Sequence, residues 1–169
     1  MTETTVTKKP ETFEIILERT FAAPAEKVFG AFKDADALAQ WWGPSGWTTE
    51  SKVLDFTPGG KWHYGMKCID ESQGEWFGKT SWGMAVYRDI DEPNSFSYKD
   101  YFSNEAGEIN EDMPTIIITN TFKEVDGATK VTSSSLCPSK QDYDTLVNMG
   151  MIEGASQTWD RLEEYVTKD

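Results

Sequence analysis

Cys68 is the residue with the most direct potential for covalent chemistry, because a cysteine thiolate is both a nucleophile and a metal ligand. Nucleophilic catalysis requires a base beside the thiol. Cys68 belongs to a segment of alternating side chains, and strand periodicity places Trp62, Tyr64 and Met66 on its face. Apolar neighbours favour the neutral, unreactive thiol. We therefore interpret Cys68 as a buried structural residue.

Acid–base and metal chemistry have few other candidates. His63 is the only histidine of the chain, so a histidine-rich metal site cannot form, and alternation predicts that it lies on the outer face of its strand, as a surface residue. Asp70, Glu71 and Glu75 could pair for acid–base work, but a solvated acidic turn is the better interpretation. Gly59-Gly60 joins two strands and lacks the Lys-Ser or Lys-Thr that follows a phosphate-binding loop.

Aromatic and methionine side chains recur at spacings that favour a binding pocket. The segment Trp41-Trp42-Gly43-Pro44 ends a helical stretch and precedes a glycine-containing hairpin. Clusters of tryptophan mark cores, pocket mouths or interfaces, and methionine adapts to irregular shapes. We expect a cavity that binds a ligand between the sheet and the last helix. The candidate lining residues are Trp41, Trp62, Tyr64, Met66, Trp82, Met84, Tyr98, Met151, Ala155 and Trp159.

Ordinary core packing is an equal alternative for each of these residues taken singly. An apolar pocket also needs a few polar anchors. Four hydroxyl side chains either supply them or face water on the outer side of the sheet: Thr119, Thr121, Ser133 and Ser135. Asp100 and Tyr98 are the candidates for catalysis in the cavity, which would require a perturbed pKa.

The charge of the chain argues against two classes of partner. The formal net charge is −13, whereas nucleic-acid binding and docking on an anionic membrane both need a basic face. We expect neither partner. No apolar run approaches the roughly 20 residues that span a bilayer, the first residues do not form a secretory signal, and Cys68 and Cys137 form no disulfide framework. These features predict a soluble cytoplasmic protein.

Periodicity and turn residues predict the elements that position these side chains. Residues 1–11 are polar and predict a flexible tail, followed by a single domain at 12–169. Alternation from Phe13 predicts a strand, and two short helices follow it. The chain ends in a long helix, expected over 139–167. Between the two short helices and the last helix, turn residues separate strands that we expect at 52–56, 61–69, 80–90, 95–102, 115–122 and 129–136.

Helices segregated from an antiparallel sheet indicate an α+β fold. We expect a helix grip, which is a curved antiparallel sheet of about six or seven strands wrapped around the long C-terminal helix. The available side chains would not fill the interior of such a grip. Gly150 and Gly154 lie one turn apart in the last helix, and each costs about 1 kcal/mol relative to alanine. A close approach of the sheet or of a ligand would explain them.

A series of short motifs matches a known pattern in order and spacing. The motifs are Arg19-Thr20-Phe21, Ala23-Pro24, Glu26, Val28, Trp41-Trp42-Gly43-Pro44, Asp55, Gly59-Gly60, Trp62, Met66, Gly83, Tyr87, Asp89-Ile90, Pro93, Gly150-Met151, Trp159 and Leu162. Together, over residues 13–166, they resemble the family related to activators of the heat-shock chaperone ATPase, within the START and birch-pollen-allergen superfamily.

The resemblance implies a helix-grip fold with an internal hydrophobic pocket. It does not imply one function, because fold and function are separable. Members of the superfamily include chaperone-associated domains, binders of aromatic natural products and self-sacrificing resistance proteins. We expect the chain to depart from the eukaryotic co-chaperones, in which another module precedes this domain. It also carries hydroxyls at Ser133 and Ser135 where larger apolar side chains are expected.

Three functions are compatible with these observations. The first is a protein that binds a small hydrophobic molecule, aromatic or lipid-like, in its cavity. The second is a stress-response protein that associates with a heat-shock chaperone through its surface. The third, which we rank last, is an enzyme of the cyclase or hydrolase type that uses the cavity. We expect no cofactor and no metal, and a monomer or a weak homodimer.

Overall fold

Eight strands, four α-helices and one 3₁₀ segment form the part of the chain that the computed structural model describes, residues 3–168. The 3₁₀ segment is Glu71–Trp76. In chain order the other elements are β1 (Thr5–Lys9), β2 (Glu14–Phe21), α1 (Ala25–Gly30), α2 (Ala35–Trp41), β3 (Trp47–Leu54), β4 (Lys61–Cys68), β5 (Thr80–Asp91), β6 (Ser95–Ser103), β7 (Thr115–Val125), β8 (Ala128–Leu136), α3 (Lys140–Asn148) and α4 (Met151–Thr167).

The strands form one antiparallel sheet in the order β1-β2-β8-β7-β6-β5-β4-β3. The sheet is curved and packs against α4, so the predicted α+β helix-grip fold is confirmed. It has eight strands rather than six or seven, because Thr5–Lys9, inside the expected tail, pairs with β2. The edge of a sheet has unpaired backbone N–H and C=O groups, with which such a segment can form hydrogen bonds. The amino-acid composition of the segment does not reveal this pairing. Two residues of the expected tail, 1 and 2, lie outside the described residues. Residue 169, at the end of the expected domain, also lies outside them.

The helix expected over 139–167 is two helices. Gly150 has a φ of +84°, which glycine adopts without strain, and it separates α3 from α4. Ser139 caps α3, because its hydroxyl accepts a hydrogen bond from the Asp142 backbone N–H at 3.1 Å. None of the described helices has the length and apolar character that crossing a lipid bilayer requires.

Phenylalanine rings fill the core where α1 faces the sheet. The ring of Phe29 meets those of Phe56, Phe96 and Phe122 edge to face, with centroids 5.0 to 5.8 Å apart. Phe32 extends this cluster towards α2, where its ring lies 4.8 Å from that of Trp41. Such edge-to-face pairs stabilise a core beyond the area that they bury. The cluster closes one end of the space between the sheet and the helices.

Arg19 ties the sheet to the C-terminal half of α4. Its side chain is almost fully buried on β2, and its guanidinium donates to the Glu163 carboxylate at 3.0 and 3.1 Å. A third bond reaches Asp160 at 2.6 Å. Removal of one partner of a buried ion pair costs several kcal/mol, because the other charge stays out of water.

Replacement of this buried cation gives the first prediction. Arg19→Met should lower the free energy of unfolding by about 3 kcal/mol, measured by urea denaturation. Lys130→Met is the matched control, because the Lys130–Glu18 pair lies at 3.0 Å on the surface and an exposed pair contributes less than about 1 kcal/mol. Equal losses in the two variants would contradict the role given to Arg19.

Candidate functional site: a cavity between the sheet and the last helix

A cavity of about 390 Å³ lies between the concave face of the sheet and the helices α3 and α4. The strands supply its floor, and the N-terminal half of α4 supplies its roof. The turn after α2 closes one side with Trp42, Gly43 and Pro44. Met149, at the rim, is 53% exposed, so the mouth lies beside the junction of α3 and α4.

Apolar side chains form most of the cavity wall. The helices contribute Leu146, Met151, Ala155 and Trp159, while Ile116 and Ile118 contribute from β7. Gly154 also faces the cavity, and a methyl group added there would meet no atom within 4 Å. A close approach of the sheet was one explanation expected for this glycine, and the structure does not show it. The helix α4 stands away from the sheet at Gly154. The roof has room for a ligand above the floor.

Arg161 fixes the side wall from α4. One terminal nitrogen of its guanidinium, Nη1, donates to the backbone carbonyls of Gly43 at 2.8 Å, Trp47 at 3.1 Å and Trp42 at 3.2 Å. The other terminal nitrogen reaches the Gln40 carbonyl at the end of α2. A cation is well placed at a helix C-terminus, where unpaired carbonyls concentrate negative charge. This contact holds Trp42 in position at the cavity.

A carboxyl group and a phenol meet on the floor of the cavity. The Tyr64 hydroxyl on β4 donates to both carboxyl oxygens of Asp100 on β6, at 3.0 and 2.9 Å. Gly83 permits this position of the ring, because a Cβ at residue 83 would lie 2.5 Å from it. Trp62 stacks on Tyr64 with centroids 4.2 Å apart, and Trp42 meets Trp62 edge to face at 4.9 Å. The ring stack therefore fixes the phenol that reaches Asp100.

The pKa of Asp100 is perturbed by its surroundings. Its side chain borders the cavity but is otherwise enclosed by protein, so burial raises the pKa from 3.8 to about 7, against the opposing effect of the Tyr64 hydrogen bond. Burial also raises the pKa of Tyr64 and of Tyr98 well above 10, with the Asp100 charge as the next cause. Near neutral pH the two phenols are therefore neutral and Asp100 is close to half ionised.

A second group of polar side chains lies further along the floor. Asn120 on β7 pairs in register with Ser133 on β8, and Ser135 lies two residues beyond. All three residues are buried, and within the described part of the chain their side chains make no hydrogen bond. No fully enclosed side-chain nitrogen or oxygen there lacks a partner, so these amide and hydroxyl atoms open onto the cavity. Asn120 pairs with Phe96, four residues from Asp100, so about 13 Å of strand separates Asn120 from that carboxyl group.

Seven of the ten residues expected to line the cavity border it. They are Tyr64, Met66, Trp82, Tyr98, Met151, Ala155 and Trp159. Trp41 and Trp62 are absent from the lining. Trp41 is fully buried behind it, where its indole N–H donates to the Ala31 carbonyl at 2.9 Å, and Trp42 takes the expected place. Trp62 supports Tyr64 from the side and donates to the Ser51 hydroxyl at 2.9 Å.

Trp82 and Met84 point to the other face of the sheet. Gly83 pairs with Tyr64, which faces the cavity, so the neighbouring residues 82 and 84 face outwards. Trp82 borders the cavity in part, but its ring covers Gly65, where a Cβ would lie 2.6 Å from it. Met84 is absent from the lining. The expectation is therefore wrong for Met84. Trp82 borders the cavity as expected, but its ring lies on the outer face rather than the concave one. Alternation did not separate the two faces, because β5 is apolar on both.

The loop between β6 and β7 buries the outer face of β5. Gly107, with a φ of +86°, brings this loop against Met84 and His63. His63 is only 5% exposed, and its Nε2 lies 2.9 Å from the Asn104 carbonyl oxygen. The expectation of a surface histidine is therefore wrong, although the expected face is correct.

Cys68 is fully buried, and its thiol lies 3.7 Å from the Asp70 carbonyl oxygen.

Sequence reasoning missed some of the polar side chains on the floor of the cavity. Asn120 was not a candidate, and Asp100 was considered only for catalysis, although strand alternation from Tyr98 places both Asp100 and Phe96, the partner of Asn120, on the cavity face. Of the four hydroxyl candidates, Ser133 and Ser135 line the cavity, whereas Thr119 and Thr121 alternate with Asn120 and face outwards.

Comparisons with known proteins agree on a family and a fold. The profile of the family described as Activator of Hsp90 ATPase homolog 1-like protein matches residues 22–167. No curated protein sequence matches the chain. A Mycobacterium smegmatis protein of known structure is 29% identical, with 98% of each chain covered and a TM-score of 0.86. A Staphylococcus epidermidis protein is 32% identical, with 97% of this chain and 94% of that chain covered and a TM-score of 0.81.

A third similar structure is that of the AHSA1 protein from Silicibacter pomeroyi. It is 21% identical, with 91% of this chain and 97% of that chain covered and a TM-score of 0.69. At this identity the likeness supports the fold alone.

The raised pKa of Asp100 predicts how stability depends on pH. Between about pH 4 and about pH 7 the native state keeps a proton that the unfolded state releases, so stability falls as the pH rises through this window. Asp100→Asn removes this loss. The variant should match the wild type near pH 4 and exceed its free energy of unfolding near pH 8, by about 4 kcal/mol at most and by less where water enters the cavity.

Urea denaturation of both proteins across this range measures the effect. Asp112→Asn, in an exposed loop, is the matched control and should follow the wild type at every pH. Parallel curves for wild type and Asp100→Asn would show that the carboxyl group is not desolvated.

Proposed function

We propose, from the premise that the chain belongs to the Activator of Hsp90 ATPase homolog 1-like family of the START and birch-pollen-allergen superfamily, that it binds a small hydrophobic molecule in the cavity. The ligand has an apolar body, aromatic or lipid-like, and a small number of polar groups. Two buried cysteines that are free, Cys68 and Cys137, support a reducing, cytoplasmic setting for this binding.

The observation that carries the proposal is a set of polar side-chain atoms that have no hydrogen bond from the described residues and face a mostly apolar cavity. Buried polar groups are nearly always hydrogen-bonded, and an unpaired one costs about 1 to 3 kcal/mol. Asn120, Ser133 and Ser135 face the cavity without a hydrogen bond from the described residues. A molecule that enters the cavity and bonds to them would offset this cost.

The size and chemistry of the cavity support the same function. Ligand sites commonly enclose about 300 to 1,000 Å³, with apolar walls and a few placed polar groups. The cavity, at about 390 Å³, lies at the lower end of this range. Trp42 and Trp159 border it with flat rings that suit an aromatic or alicyclic body.

Two observations favour association with a heat-shock chaperone as a second candidate. The family description names an activator of the Hsp90 ATPase, and three large apolar side chains are exposed between β4 and β5. Ile69 is 56%, Trp76 53% and Phe77 45% exposed. Exposed apolar side chains gathered on one segment are typical of an interaction surface.

Catalysis requires an acid or base with a perturbed pKa in the cavity, and Asp100 meets this requirement. Proton transfer by one carboxyl group is within its chemistry. Binding has the broader support, because Asn120, Ser133 and Ser135, which have no hydrogen bond from the described residues, are separate from Asp100 and can bond to a molecule whether or not it reacts.

A cavity-filling variant tests ligand binding. Gly154→Leu puts a branched side chain into the open space of the roof, so it should weaken binding of an aromatic or lipid-like ligand by about tenfold or more. Gly154→Ala adds only a methyl group, and it should bind as the wild type does while gaining up to about 1 kcal/mol of stability. Tryptophan fluorescence, titrated with a panel of such compounds, reports binding, and native mass spectrometry of freshly expressed protein detects a retained ligand.

The proposal fails if no member of the panel changes the emission and no retained mass is found. It fails equally if Gly154→Leu, still folded by circular dichroism, binds the same compound with unchanged affinity.

A surface variant tests the chaperone candidate. Replacement of Trp76 and Phe77 together by serine should abolish capture of an Hsp90-type chaperone in a pull-down with purified proteins, and Gly154→Leu should leave it intact. Capture by wild type and the double variant alike, or by neither, would contradict an interaction through this surface.

A further inference from the structure

Asp100 is the only charged residue in the lining of the cavity among the described residues. No lysine, arginine or histidine side chain of that part of the chain borders the space. Anion-binding sites in proteins are built from cationic side chains or from backbone N–H groups at helix N-termini. The chemistry of this lining is therefore suited to a neutral or a positively charged molecule.

The carboxyl group keeps acceptor capacity for a ligand. The Tyr64 hydroxyl supplies one proton, shared between the two oxygens at 3.0 and 2.9 Å, and the Tyr101 backbone supplies another hydrogen bond. An ionised carboxylate offers about four lone-pair positions. Asp100 borders the cavity, so a donor from a bound molecule can reach the positions that remain.

We propose that the cavity selects molecules that carry an N–H or O–H donor on an apolar body, above all a protonated amine, and that it rejects carboxylates and other anions. This inference rests on the proposed binding function and names its class of ligand. The donor bonds to Asp100, and the apolar body lies under Trp159.

Desolvation explains why an amine gains most. Burial of a carboxylate is normally a large part of the cost of a buried ion pair. In this protein Asp100 is only partly exposed, on the floor of the cavity, so its carboxylate has already lost part of its hydration, and this burial raises its pKa. An arriving ammonium group therefore meets a carboxylate that needs less further desolvation than one on the protein surface. A carboxylate ligand meets repulsion instead, which the net charge of −13 increases at longer range.

The side chains that face Asp100 do not neutralise the negative charge of its carboxylate. Tyr64 from β4, Tyr87 from β5 and Tyr98 from β6 face it, and the pKa of each is raised by burial first and by Asp100 next, so all three stay neutral. Lys99 alternates with Asp100 and faces the other side of the sheet, where its Nζ lies 5.2 Å from the Tyr101 ring centroid.

Three compounds with one carbon skeleton test the inference: phenylpropylamine, phenylpropanol and phenylpropanoate. Each is titrated into the full-length protein near pH 8 and followed by tryptophan fluorescence. We expect the amine to bind about 10 to 100 times more tightly than the carboxylate, the range that a hydrogen bond to a charged group provides, with the alcohol between them. Asp100→Asn keeps the side-chain shape and should reduce the amine-to-carboxylate ratio to about one. Tyr64→Phe keeps the carboxylate and should keep the preference.

The outcomes separate this inference from the function on which it rests. Equal affinity for the three compounds, a preference for phenylpropanoate, or a ratio that survives Asp100→Asn would overturn the selectivity while a binding cavity remains. If none of the three binds although other neutral or anionic compounds of the broader panel do, the selectivity is also wrong. If nothing binds in either experiment, the proposed function itself fails.

Discussion

The attachment of α4 to the sheet at one end only is the constraint on which the rest of the structure depends. Its C-terminal half is held by the Arg19 ion pairs with Glu163 and Asp160, and the buried residues of the helix begin only at Thr158 and continue to Val166. The N-terminal half, from Met151 to Ala155, is only partly buried. A helix anchored at one end and raised at the other leaves a wedge of space above the sheet, and this wedge is the cavity.

Glycine and arginine make this arrangement possible in different ways. Gly150 ends α3 with a left-handed residue, so the chain changes direction before α4 begins, and the raised end can stand apart from the sheet. Arg161 couples the helix to the turn after α2 through backbone carbonyls, so the wall that carries Trp42 and the roof are held together. The volume of the cavity thus depends on backbone geometry as much as on the side chains that line it.

Alternation and turn signals predicted the fold well, because apolar and polar residues alternate along a half-buried strand and so identify its buried face. The prediction failed on β5, since Trp82 and Met84 are as apolar as residues of the inner face, and the loop that covers them is remote in sequence. The inner face of β5 is Gly83 and Ala85, which look featureless in sequence because Tyr64 and Trp62 of the neighbouring strand take up their space. The burial of His63 was missed for the same reason, because it depends on Asn104, which is remote in sequence. The edge pairing of β1 with the adjacent β2 was missed because the residues of β1 are polar or exposed and show no alternation.

The residues that make the family recognisable are mostly those that build the scaffold, and this explains why the family does not name the ligand. Trp41 is buried behind the cavity wall, and Gly60 is required because a Cβ there would lie 2.1 Å from the Asp55 carbonyl oxygen. The polar side chains that face the cavity, Asp100 and Asn120, belong to none of these motifs. Scaffold and ligand chemistry therefore lie on different residues of the same strands, so a change of ligand can occur without a change of fold.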